Sequence, residues 1–143
     1  MTKEEIILAV MSRSDGASYS PAQIQKLLFL IDKGVGPSLG GPFFNFIPYH
    51  YGPFDKEIYS LLDSLNVRDL VDIDLTSNNR LKTYRLTIDG QKSGSEIVHN
   101  LDQKFQAHLK ALDSFVRSLS FKDLLRTIYK AYPEMRVNSI FQY

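Results

Sequence analysis

The sequence predicts an α+β fold that is mostly α. It has a winged-helix-like core of three helices and a β-hairpin, followed by a C-terminal helical extension. The prediction rests on a few patterns. Apolar residues recur at i, i+3, i+4, i+7 spacing in the N-terminal half. Two short segments between residues 70 and 88 alternate apolar and polar side chains. Helical periodicity returns after residue 90. The 143 residues suit a single domain. Its core spans about residues 1–90 and its C-terminal helices about 91–143.

Residues 3–12 read as the first helix, with Ile6, Ile7, Val10 and Met11 on one side, and Ser14-Asp15-Gly16 breaks it. Ser20-Pro21-Ala22-Gln23 starts the second. Ser20 supplies a cap, Pro21 loses no hydrogen bond at the first helical position, and Gln23 completes a capping box. Ile24, Leu27, Leu28 and Ile31 form the apolar stripe, and the helix ends near Lys33-Gly34. Residues 34–42 are rich in glycine and proline and read as loop. Residues 43–51 are aromatic-rich and extended, and Gly52-Pro53 is expected to open the third helix, with Pro53 in its first turn. Ile58, Leu61, Leu62 and Leu65 carry that helix's stripe.

Val71, Ile73 and Leu75 alternate with Asp72 and Asp74. Tyr84, Leu86 and Ile88 alternate with Arg85 and Thr87. Thr76-Ser77-Asn78-Asn79 supplies turn chemistry between these two strands, giving a hairpin. Ile97, Leu101, Phe105, Leu109, Leu112, Phe115 and Leu119 then mark one continuous helical stripe. Ser120, with Asp123 three residues on, starts a last helix carrying Leu124, Leu125, Ile128 and Tyr129, which Pro133 stops.

Composition excludes several chemistries. With no cysteine, there is no disulfide framework, thiol nucleophile or cysteine-ligated metal site. His99 and His108 have no metal-ligand spacing, so neither a metal nor any other cofactor is expected. The net charge of +1 carries no footprint for nucleic acid or an anionic membrane. No segment has the roughly 18 consecutive apolar residues of a membrane span, and the acidic start Thr2-Lys3-Glu4-Glu5 differs from a signal peptide. A soluble, cytoplasmic, non-enzymatic protein is expected. The glycines around residues 34–41 are followed by Pro42-Phe43-Phe44, which is no phosphate loop.

Gln25-Lys26-Leu27-Leu28-Phe29-Leu30 resembles the hallmark helix of the Panacea domain, the SocA-like antitoxin group. Tyr51-Gly52-Pro53-Phe54 with Glu57-Ile58-Tyr59 resembles that family's aromatic-Gly-Pro step, and Tyr84-Arg85-Leu86-Thr87 with Gly90 its hairpin exit. Tyr129-Lys130-Ala131-Tyr132-Pro133 with Asn138-Ser139 is similar to YwgA-like bacterial proteins. Together these motifs span residues 20–139. The resemblance implies an antitoxin or defence-associated regulator that neutralises a partner protein, such as a toxin, or delivers it to a protease. It implies no enzyme.

Two candidate surfaces follow. Phe43, Phe44, Phe46, Tyr49 and Tyr51 crowd one short segment, and exposed aromatics anchor protein interfaces. Gln25 and Lys26 lie about 100° and 200° around the helix from Ile24, so Lys26 is expected outside the core. The protein-interaction candidates are therefore Gln25, Lys26, Tyr49, His50 and Tyr51. Against this stands internal hydrogen bonding by Gln25 and Tyr51. The alternative is a DNA-binding regulator using Arg80, Lys82 and Arg85 on the hairpin. The third helix argues against it, with Asp55, Glu57 and Asp63 facing Lys56 alone among its charges. The identity of the partner and any homo-oligomer stay open.

Overall fold

The computed structural model of the chain describes residues 1–75 and 81–141. In chain order it contains α1 (Lys3–Met11), α2 (Pro21–Gly34), β1 (Ile47–Tyr49), β2 (Gly52–Phe54), α3 (Glu57–Val67), β3 (Val71–Leu75), β4 (Lys82–Leu86), α4 (Ile88–His99), α5 (Gln103–Ser118) and α6 (Phe121–Ala131). Short 3-10 turns occupy Ser12–Ser14, Gly36–Leu39 and Pro133–Arg136. The fold is α+β and mostly α. The strands form two separate antiparallel hairpins, β1–β2 and β3–β4.

α1 starts on a capping box: Thr2 Oγ1 accepts the Glu5 N–H, and the Glu5 carboxylate accepts the Thr2 N–H. The hydrogen bond from the Thr2 N–H lowers the pKa of the Glu5 carboxyl. The sequence predicts one buried side for this helix, yet every residue from Ile6 to Met11 is buried. α3, α4 and α5 all pack on α1, so it is a central helix rather than a surface one. Asp15 and Gly16 end it in the left-handed region, with φ of 52° and 91°. α2 follows its expected design, with the Ser20–Gln23 capping box and Pro21 at the first position.

The loop after α2 is less free than its glycines suggest, because Gly36–Leu39 forms a helical turn. The buried Asp32 carboxylate accepts the N–H groups of Phe43 and Phe44 at 2.7 and 2.9 Å, which pins both rings into the core.

The expected start of the third helix is corrected. Pro53 lies in the middle of β2, paired with Pro48, and α3 opens only at Glu57. The chain turns at His50-Tyr51, and Gly52 takes a φ of 86°, which returns it antiparallel to β1. A two-stranded hairpin consists of edge strands, where proline is tolerated. The capping role falls to Asp55, whose Oδ1 accepts the Glu57 N–H at 2.9 Å and whose Oδ2 accepts the Asn45 N–H.

β3 and β4 pair in the register Val71↔Leu86 and Ile73↔Tyr84. Tyr19 joins this hairpin through two backbone hydrogen bonds with Tyr84. The expected turn at residues 76–79 lies outside the described residues. Ile88 was expected to continue the strand alternation. It is instead the first residue of α4 and strongly exposed, because Thr87 caps the helix by accepting the Gly90 N–H at 3.0 Å.

The single C-terminal stripe is also corrected, since the helix breaks at residues 100–102 and restarts as α5. The break changes the helical phase. α5 buries Leu109, Asp113 and Val116, while Phe115 is exposed. Asp113 is tolerated inside because the Tyr19 hydroxyl donates to it at 2.5 Å and Arg117 Nε at 3.3 Å. Burial and this carboxylate push the Tyr19 hydroxyl's pKa upward. α4 lies close against α1 because its contact residue is Gly94. A Cβ there would stand 2.3 Å from the Leu8 carbonyl oxygen. α6 begins at the Ser120 cap as expected and buries Leu124, Leu125, Ile128 and Tyr129. One hydrophobic cluster joins residues of the first three helices with those of α4, α5 and α6. Among the described residues, no helix is long and apolar enough to cross a membrane.

Candidate functional site

The first turn of α2, the β1–β2 hairpin, α3 and the start of α6 enclose a groove of about 480 Å³. Aromatic rings dominate its walls. Tyr49 stacks on Phe54 with ring centres 5.1 Å apart and on His50 at 4.3 Å. Tyr51 meets the Phe121 ring edge-on at 5.6 Å. Tyr59 packs against Phe54 at 5.9 Å and against Tyr84 at 6.3 Å, which links the groove to the second hairpin.

Lys26 lines this groove, and the expectation that it stays out of the core is corrected. It is only 4% exposed. The helical rotation does turn it away from the apolar stripe of α2, but β2 packs on α2 and covers it. Its ammonium donates to the Pro53 carbonyl oxygen at 3.3 Å. Among the described residues no carboxylate lies within ion-pairing distance of it. Burial without a counter-charge disfavours the ammonium and pulls its pKa down to about 8.

Gln25 is also buried. Its side chain donates to the Asp55 carbonyl at 2.9 Å and accepts the Asp55 N–H at 3.0 Å, so it locks α2 to the start of α3. Tyr49, His50 and Tyr51 form the exposed hairpin tip, and Tyr49 and Tyr51 remain 44% and 46% exposed. The tip is braced from behind: the His50 carbonyl accepts the Ile140 N–H, and Asn138 donates to the Pro48 carbonyl. Of the predicted interaction residues, the structure thus gathers Lys26, Tyr49 and Tyr51 around one groove, places His50 at its rim and buries Gln25 beneath. Phe54, Tyr59 and Phe121 belong to the groove as well. The spacing within α2 alone gives no signal for them, since they come from three other elements.

Lys82 and Arg85 are exposed on β4, and Arg80 lies outside the described residues. Asp72 is the cross-strand partner of Arg85, and Asp74 lies one pair from Lys82. Acids therefore interleave with the bases on this hairpin. His99 and His108 sit on different helices, and no group of three metal-binding side chain types occurs among the described residues. No protein-family model and no curated protein matches the sequence.

Proposed function

We propose that this chain is a non-enzymatic protein-binding domain of the antitoxin or defence-regulator type. It neutralises a partner protein or delivers it for proteolysis. The observation that carries this reading is the hairpin tip: Tyr49, His50 and Tyr51 stand exposed side by side on a braced turn. Aromatic groups already held in place lose little conformational freedom on docking, which makes them efficient anchors. The order α1, α2, α3, β3, β4 supports a winged-helix-like description of this half, with β1–β2 inserted between its second and third helices. Glu57 and Asp63 on α3, with Asp72 and Asp74 on β3, weigh against phosphate binding by the same half.

Site-specific photo-crosslinking tests the reading. A photoreactive phenylalanine analogue replaces Tyr51 in the native host, and Ile88, the exposed first residue of α4 and no part of the groove lining, serves as the control position. The reading expects a discrete protein adduct from position 51 that position 88 does not give. The product of a neighbouring gene, lethal alone and harmless with this chain, is the expected adduct. Identical adducts from both positions, or none, would remove the tip from the account.

A further inference from the structure

We propose that the floor of the aromatic groove binds a small organic acid, a carboxylate carried on a flat aromatic body. The site adjoins the hairpin tip and shares Tyr49 and Tyr51 with it, but its ligand is argued from the groove floor and not from the identity of the docked protein. Lys26 carries the argument. An ammonium has three N–H donors, and among the described residues this one has a single acceptor, the Pro53 carbonyl oxygen at 3.3 Å. The residue is only 4% exposed, and what exposure it has is to this groove. A buried cation without a counter-ion is unfavourable, and a carboxylate placed against it supplies one.

The surroundings add direction. Ser20, Pro21 and Ala22, the first turn of α2, form one wall. That end of the helix carries the positive pole of its backbone dipoles, which reinforces the preference for an anion. The opposing walls are the aromatic side chains of Tyr49, Tyr51, Tyr59 and Phe121. Flat apolar walls accept a planar ring by stacking. The groove's roughly 480 Å³ falls within the range of small-molecule sites, about 300–1,000 Å³. An aliphatic side chain would fill part of that space and leave the ammonium unpaired. An acidic side chain would pair the ammonium and leave the ring walls open. An aromatic carboxylate meets both demands.

The test uses 2-naphthoate, with 2-naphthamide as its neutral counterpart of the same shape. The protein has no tryptophan, so naphthyl fluorescence is read without tryptophan overlap. The naphthoate should bind at least about tenfold more tightly than the amide, the worth of one added charge-assisted hydrogen bond. Lys26→Met should abolish that preference, and Lys26→Gln serves if the methionine variant fails to melt cooperatively. Phe121→Ala, at the exposed rim, should weaken both probes alike. Amide shifts in NMR spectra should centre on Ala22, Lys26 and Tyr59. Equal affinity for the two probes, a preference that survives in the Lys26 variant, no saturable binding, or shifts centred elsewhere would each overturn the proposal.

Discussion

Replacing Lys26 with methionine should stabilise the protein at neutral pH, although it removes a hydrogen bond. The folded ammonium titrates at about 8, against an ordinary lysine value of 10.5. At about 1.36 kcal/mol per unit, that gap corresponds to about 3 kcal/mol of unfavourable burial while the group is charged. Methionine has a similar length and no charge to desolvate. Losing the bond to Pro53 returns about 1 kcal/mol, which leaves a net gain of about 2 kcal/mol at pH 7.

The sign of the pH dependence follows from the same shift. Between pH 8 and 10.5 the unfolded chain keeps its lysine proton and the folded chain has lost it. The unfolded state therefore binds more protons, and the stability of the native protein rises with pH across that window. Tyrosines reverse the trend at higher pH. Burial pushes Tyr84 up to about 12 and Tyr19 higher still, so above pH 10 the unfolded chain loses phenolic protons first. Denaturant unfolding at pH 7, 8.5 and 10 reads both effects. The native chain should gain stability toward pH 10, and Lys26→Met should lack the rise. A variant less stable than the native chain at pH 7, or a native profile flat across this window, would mean that burying the Lys26 ammonium carries no such cost.

Other substitutions test the packing that positions the groove. Asp32→Ala leaves the Phe43 and Phe44 N–H groups buried without an acceptor. It should cost about 3 kcal/mol in denaturant unfolding. Gly94→Ala drives a methyl group to 2.3 Å from the Leu8 carbonyl. Its melting temperature should fall even though alanine is the better helix former by about 1 kcal/mol. Tyr19→Phe removes the hydroxyl that donates to the buried Asp113 at 2.5 Å. It should lower stability by about 2 kcal/mol by the same unfolding measurement, because the buried carboxylate loses its short hydrogen bond and keeps the one from Arg117.

Local signals were the legible ones. The caps at Ser20 and Ser120 and the stripes of α2 and α6 could be read from neighbouring residues, because capping and helical period act within a turn or two. Pro53 misled because Gly-Pro before an apolar run fits both a helix start and a hairpin return. The deciding fact is the left-handed Gly52, which pairs β2 with β1. Lys26 misled for another reason. Its helical angle shows only that it leaves the apolar stripe, and β2 covers that other side. Asp113 occupies an inner position because Tyr19, 94 residues away in sequence, supplies its partner. The candidate site was half legible: the Tyr49–Tyr51 tip stood out as an aromatic cluster, whereas Phe121 and Tyr59 reach the groove only through tertiary packing.

The most direct test of the central claim is the affinity of the purified crosslinked partner for the Tyr49→Ala/Tyr51→Ala double variant, measured by calorimetry beside the native chain. Both side chains are nearly half exposed, so the variant should stay folded. Binding should weaken about 100-fold or more, the scale of losing two aromatic anchors, with cooperative melting retained. Native affinity in the folded double variant would contradict that claim.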